Sequence, residues 1–354
     1  MDALMDILSK REFSREEIVR LLGAEGGEME YLLNKALEVK LAETDNLVRL
    51  RGLIEIGNVC TKDCFYCGLR RSNHSINRYS LTREQILECA RKAYELGYGS
   101  VALQGGERSD EGWIEEVTTT IREIKKIGDL GITLSLGEQD EETYRRWFEA
   151  GAHRYLLRIE TTDEELFYRI HPRDARHDFR RRIECIDTLK RIGFQTGTGV
   201  MIGLPHQTIG SLADDLLWFK ARDVAMVGMG PYIPHPDTPL FGEAGIIPAP
   251  KERIALTLKM IAVLRLMMPR INMVAATANL TIDPEGREKA ILAGANVIMP
   301  NLTPGEEREA YSIYPDKAAV SDMPGTPLAD RMKAIGHRLL LGSWGDSLAF
   351  TERK

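Results

Sequence analysis

The sequence has no long apolar run. Its most apolar stretch, residues 254–268, is interrupted by Lys259 and Arg265, which excludes a membrane span. The first ten residues carry Asp2 and Asp6 and lack a basic start, so no secretory leader is expected. Cysteine is scarce: five in 354 residues cannot build a disulfide scaffold. An excess of positive charge is also missing. Lys and Arg number 47 against 53 Asp and Glu, a net charge of −6, which argues against an electrostatic footprint for nucleic acid. No internal repeat, low-complexity tract or Pro/Ser-rich linker divides the chain. These absences predict a cytoplasmic globular protein whose partners include neither a membrane nor a nucleic acid.

With 43% apolar and 28% charged residues the chain can bury a substantial core. Residues 1–47 read as a helical extension, with Ser14 to Glu17 forming a capping-box pattern before an apolar stripe. From 48 to 354 short β-rich runs alternate with amphipathic segments. The runs are 50–57, 100–105, 131–137, 154–160, 194–203, 224–233, 271–279 and 296–301. A helical pattern follows each, as over 82–96, where Ile86, Ala90, Ala93 and Leu96 share one face. Eight buried-looking strands alternating with helices predict an α/β fold, a (β/α)8 barrel of the TIM type with C-terminal helices. An open doubly wound sheet or an incomplete barrel is the alternative. In a barrel, chemistry belongs at the carboxyl ends of the strands and in the loops that follow them.

Three of the five cysteines, Cys60, Cys64 and Cys67, form a C-x3-C-x2-C cluster directly after the first run. Thiolates select zinc, copper(I) or iron–sulfur clusters. A structural zinc site wants four ligands, and only His74 lies nearby to complete one. Cys89 and Cys185 fall within helical patterns. A cubane cluster held by three thiolates instead leaves one iron open to chelate a small molecule. Asn58 and Asn73 flank the loop, and Tyr66 is placed to cover a bound ring. At the end of the second run, Gly105 and Gly106 permit close backbone approach, and Glu107 can accept from an ammonium. Alternation along the fourth run places Arg158 and Glu160 on one face, either as a structural ion pair or as ligand contacts. Six arginines and two histidines crowd residues 169–182, most of them read as solvated surface. Arg182 differs, because it shares the buried edge of the following helix near its amino end.

At these residues the chain resembles the radical S-adenosylmethionine (SAM) enzymes. The resemblance implies one four-iron four-sulfur cluster on Cys60, Cys64 and Cys67, these three also being the catalytic residues, with SAM chelated to the open iron. Reductive cleavage of SAM would then give a 5′-deoxyadenosyl radical. It assigns Gly105, Gly106 and Glu107 to the amino group of SAM, Glu160 to its ribose, Arg182 to its carboxylate, and Tyr66 and Met201 to the walls of its site.

Further stretches, among them Tyr66 to Arg71, Leu134 to Glu138, Gly230 to Leu240 and Ala295 to Asn301, resemble the HydE family of FeFe-hydrogenase maturases, with similarity from about residue 13 to about residue 315. That family implies a substrate cavity at Thr133, Arg158, Thr277, Met299, Tyr311 and Tyr314, although the two tyrosines are equally suited to helix packing. The implied substrate is small and organometallic or amino-acid-like: an iron–cysteine species with CO and cyanide, attacked at sulfur. The implied partners are the maturases HydG and HydF and an electron donor such as ferredoxin or flavodoxin. His235 and Asp237, flanked by prolines, can simply fix the shape of their loop. Two features depart from the family. No cysteine follows Cys185, and residues 318–329 hold none, so a single cluster is expected. Gly105 and Ala276 each stand where the family commonly has a hydroxyl. An amino-acid mutase of the methylornithine synthase type would need carboxylates placed for an ammonium, and the cavity positions named above show no pair. Sulfur insertion like that of biotin synthase would need further cluster ligands inside the barrel. A non-enzymatic metal-binding role is separated from both by colour, since zinc is colourless and an iron–sulfur cluster is brown.

Overall fold

The structure, a computed structural model, describes residues 1–315 and 327–352. Most of the 318–329 stretch therefore lies outside the described residues. Three helices, Asp2–Leu8, Arg15–Leu22 and Gly26–Thr44, open the chain. The second is capped reciprocally, the Ser14 hydroxyl accepting from Glu17 N and the Glu17 carboxylate accepting from Ser14 N. This extension does not form a core of its own. Its Leu4, Ile18, Leu21, Leu32 and Ala36 are fully buried in the same apolar cluster as the strands that follow.

The strands are β1 (Leu47–Leu50), β2 (Gly52–Gly57), β3 (Ser100–Gly105), β4 (Gly131–Ser135), β5 (Arg154–Leu156), β6 (Gln195–Thr198), β7 (Met201–Ile202), β8 (Met226–Pro231), β9 (Asn272–Ala275), β10 (Val297–Ile298) and β11 (Arg338–Leu340). All named pairings are parallel, and neighbours run β2-β3-β4-β5-β6-β8-β9-β10-β1. β1 and β2 are one run broken at Arg51, so pairing of β1 with β10 closes the ring. Leu53 extends that seam by bridging Asn301. β7 continues the line of β6 and pairs with β8, which gives eight staves and the expected barrel. β11 lies outside the ring, beside β1. No helix among the described residues is long and apolar enough to cross a membrane.

Only the second run keeps its expected bounds, and four of the differences bear on the site. The first begins at Leu47, the fourth stops at Leu156, and the seventh stops at Ala275, where helix Thr277–Ile282 starts. The fifth is split at Gly199, where a Cβ would lie 1.9 Å from Gly228 O; only glycine lets the two backbones approach so closely. In each case where a strand ends early, the continuing backbone turns toward the barrel mouth and its side chains serve the cavity there.

The barrel floor is cationic. Arg49, Arg51 and Arg154 are buried beneath the cavity, and Asp346 from the C-terminal segment lies 2.6 Å from Arg154 Nη1. Burial lowers all three guanidiniums, Arg154 to about 10.

Candidate active site

The loop after β2 carries Cys60, Cys64 and Cys67, and a lattice of polar contacts shapes it. The Arg78 guanidinium donates to four carbonyls of the loop: Asn58 O at 2.7 Å, Leu69 O at 2.8 Å, Arg70 O at 2.7 Å and Asn73 O at 2.9 Å. Asn58 donates to Asn77 O and Ala310 O, and Asn73 to Gly68 O. Gly68 is required here, because a Cβ would fall 2.2 Å from Ser312 O and 2.6 Å from the His235 ring. His235 Nδ1 accepts from Asp237 N at 3.1 Å, so these two residues do fix their own loop.

All three thiols line one cavity of about 370 Å³ at the carboxyl ends of the strands. Cys60 Sγ accepts from Glu107 N at 3.3 Å. Burial first, then the neighbouring cysteines, pushes the Cys64 and Cys67 thiols up, Cys67 to about 12. Buried thiols of this kind ionise when cationic iron supplies the missing charge. Among the described residues no three His, Cys, Asp or Glu side chains stand close enough to hold a single metal ion. A cubane spreads its thiolates more widely, and three soft donors facing one polar cavity fit such a cluster. His74 is exposed on the far part of the loop, while Cys89 and Cys185 are buried in helices Arg83–Glu95 and Phe179–Ile192, away from the cavity.

Beside the thiols, Gly105 and Gly106 end β3. A Cβ on Gly106 would lie 2.2 Å from Val59 O, so the close approach that the sequence suggested is made to the cysteine loop itself. Glu107 accepts from Glu138 N at 2.7 Å and lies 3.2 Å from Lys62 Nζ. Lys62 also pairs with Glu138 at 3.0 Å, and Glu138 in turn holds Arg182. Two buried cations and two buried anions thus alternate, a pattern complementary to a zwitterionic amino acid. Burial raises the Glu107 carboxyl. It acts on Glu138 too, but Arg182 and Lys62 outweigh it and hold Glu138 below the ordinary range. Arg182 sits near the amino end of its helix, buried as anticipated, but its guanidinium is shared between Glu138 and Arg158 O at 2.6 Å.

Arg158 and Glu160 are not on a strand, since β5 ends at Leu156. Glu160 instead adopts φ 68°, with its N–H donating to Gly199 O at 3.0 Å. This turn still brings the two side chains into the cavity as an ion pair at 3.0 Å. Tyr66 and Met201 line the same wall. His171 Nδ1 bonds Phe167 O at 2.9 Å, which leaves Nε2 to accept from the Tyr66 hydroxyl at 3.2 Å.

Of the anticipated substrate positions, Arg158, Thr277, Met299, Tyr311 and Tyr314 line the cavity and Thr133 does not. The Thr133 hydroxyl accepts from Arg154 Nε at 3.0 Å, toward the barrel floor. Ser135, two residues on and on the same face of β4, takes the lining position instead. Tyr311 is fixed by a hydrogen bond from Gln104 Nε2 at 3.2 Å. Glu55, Arg287 and Lys62 also face the cavity and were not foreseen. Glu55 had a signal, a charged residue inside the apolar run of β2; Arg287, on a short distant helix, had none. Glu55 adds a carboxylate to a cavity whose six anticipated substrate positions held none. Gly105 and Ala276 do line it, so the hydroxyls absent there would have faced it.

Comparison with known proteins places this geometry in context. The radical SAM superfamily model matches residues 54–219. The chain is 44% identical over 334 residues to the [FeFe] hydrogenase maturase subunit HydE of Thermotoga maritima, covering 94% of this chain and 92% of that protein. It is 28% identical to 3-methylornithine synthase of Methanosarcina acetivorans, covering 93% and 91%. Among solved structures, methylornithine synthase superposes with a TM-score of 0.81 at 24% identity, covering 96% of this chain and 97% of that one. HydG, a maturase of the [FeFe]-hydrogenase, superposes with a TM-score of 0.80 at 20% identity, covering 95% and 75%. These two likenesses establish the barrel fold.

Proposed function

From a chain that belongs to the radical SAM superfamily and, within it, to the HydE family of hydrogenase maturases, we propose an enzyme that modifies an iron–cysteine species carrying CO and cyanide at its cysteine sulfur. Its cofactors are one four-iron four-sulfur cluster and SAM. When bound, the reduced cluster supplies one electron to the SAM sulfonium and thereby a 5′-deoxyadenosyl radical. Cys60, Cys64 and Cys67 would hold the cluster. Glu107 and Arg182, set in the alternating charges with Lys62 and Glu138, would orient the amino and carboxylate groups of SAM. Glu160 would take the ribose, with Tyr66 and Met201 closing the wall. The barrel excludes water and stray hydrogen donors from the reacting centre.

One observation carries the substrate reading: the cavity beyond Glu160 combines the cations Arg158 and Arg287 with hydroxyls from Ser135, Thr277, Tyr311 and Tyr314 and an apolar wall at Val274 and Met299. That lining suits a compact anion with soft, weakly hydrated ligands. HydG and HydF, as supplier and acceptor of the iron species, are the partners this reading implies. A second reading draws on Glu55, whose carboxylate accepts from Asn301 Nδ2 at 3.0 Å at the edge of the cavity. An acid there suits a substrate ammonium and favours an amino-acid mutase. Mass spectrometry of the nucleoside products decides between them, after anaerobic reconstitution, reduction and addition of SAM with the iron–cysteine species. A covalent adenosyl–sulfur adduct is the expected product. Free 5′-deoxyadenosine alone, with turnover of lysine, would overturn the maturase substrate in favour of the mutase.

A further inference from the structure

The crowded basic stretch divides between buried and exposed side chains. Within it His171, His177 and Arg182 turn inward, whereas Arg173 and Arg176 are exposed. Arg71, four residues after Cys67, is also exposed. Lys62 ties two of them together: Arg71 N donates to Lys62 O at 2.8 Å, and the Lys62 ammonium donates to Arg176 O, while the Arg173 guanidinium, three residues before Arg176, lies 4.5 Å over the Tyr168 ring. Among the described residues none of the three is ion-paired with a carboxylate. Elsewhere exposed arginines commonly are, as in Arg15 with Asp214, Arg83 with Glu116 and Arg91 with Glu84. The local acids are already engaged, Asp63 by Arg70 and Ser72 and Asp174 by His177. A chain of net charge −6 therefore presents unpaired positive charge on the solvent side of the loop that carries its three cysteines.

We propose that this patch docks an acidic one-electron carrier protein and so admits the reducing electron to the cluster. The proposal rests on the reading that Cys60, Cys64 and Cys67 hold a redox cluster. One electron leaves the reduced centre of the carrier and enters the cluster; the carrier is oxidised by one electron, the cluster is reduced by one, and no covalent bond forms. Opposite charges on the two surfaces steer encounter and fix orientation. The acids Asp63, Asp174 and Asp178 interleaved with the arginines favour a mixed-charge protein surface over the uniform polyanion of a nucleic acid.

The test compares the reconstituted holoenzyme with its Arg71→Glu/Arg173→Glu/Arg176→Glu variant in stopped flow, reading the bleaching of the cluster. One reductant is a reduced acidic two-iron ferredoxin, the other the small cation reduced methyl viologen. With ferredoxin at low salt the variant should be slower by about tenfold or more, and its residual rate should lose its salt dependence. Methyl viologen should bleach both proteins at similar rates and support equal SAM cleavage. The corresponding triple Arg→Lys variant should keep the ferredoxin rate. Equal ferredoxin rates and salt slopes in wild type and Glu variant would overturn the docking surface while leaving the enzyme reading intact. If the Glu variant fails to take up the cluster, the wild type still decides, since a ferredoxin rate indifferent to salt would equally overturn the surface. Failure of both reductants to bleach the wild type would overturn the cluster reading itself. Inhibition of the ferredoxin reaction by a short single-stranded RNA in the wild type alone would reassign the patch to nucleic acid.

Discussion

The Arg78→Lys variant tests how the cysteine loop is held. Arg78 satisfies four loop carbonyls with one planar fork, two from each terminal nitrogen. A lysine ammonium is a point donor and cannot span carbonyls on both sides of the loop, so it retains two at most. Hydrogen bonds to a charged donor contribute about 1.5–3 kcal/mol each, and the lower end applies to this half-exposed guanidinium. Losing two of four weakens the ordered loop by about 3 kcal/mol, roughly a hundredfold in its population. The barrel does not depend on these bonds, so far-UV circular dichroism should be unchanged. The assay is the half-life of the cluster absorbance under a strong iron chelator after anaerobic reconstitution. That half-life should shorten by a factor approaching one hundred. A variant whose cluster resists the chelator as long as the wild type would refute the view that Arg78 orders the loop.

Other expectations follow from the same geometry. Cys60→Ala, Cys64→Ala and Cys67→Ala should each abolish cluster absorbance and SAM cleavage, whereas Cys89→Ser and Cys185→Ser should keep both; retained cleavage in any of the first three would remove that cysteine from the ligand set. Glu55→Gln should leave formation of 5′-deoxyadenosine from SAM alone unchanged and should raise KM about tenfold for any substrate whose ammonium it binds, which steady-state kinetics with lysine would show. Asp215, fully buried, accepts from Thr162 N at 2.7 Å and Thr162 Oγ1 at 2.6 Å, and burial raises its carboxyl from 3.8 to about 7. The folded state thus holds a proton that the unfolded chain has released, and stability falls as pH rises from about 4 to 7. Asp215→Asn should remove that fall, its advantage in urea denaturation growing from pH 4 to pH 7; a difference independent of pH would contradict the buried, protonated assignment.

Much of the architecture was legible because its signals are local. Eight β-rich runs, each followed by an amphipathic pattern, became the eight staves, and Ser14 to Glu17 formed its capping box. The spacing of Cys60, Cys64 and Cys67 located the site, since neighbouring loop residues must share it. Strand ends were less legible. Alternation carried β5 on to Glu160, but Glu160 takes a positive φ with its N–H bonded to Gly199 O on the next stave, a long-range contact that the local sequence does not reveal. The same limit explains Thr133, whose parity on β4 matched the lining face but which lies one pleat repeat deeper than Ser135 and bonds Arg154 there. The partners Lys62 and Glu138 lie 76 residues apart, and only closure of the barrel brings them together.

The cationic floor has a consequence for what the barrel admits. Arg49, Arg51 and Arg154, with Asp346 paired to Arg154 and Asp45 acting on Arg49, gather positive charge at the closed end of the barrel. In a low-dielectric tube such a field is weakly screened along the axis. That charge biases the barrel toward a compact anion and against a free ammonium, while Glu55 and Glu160 of the cavity act in the opposite sense. On the substrate reading proposed above, selection of an anionic iron species over the side chain of lysine would begin with that bias, before either touches Arg158 or Glu55.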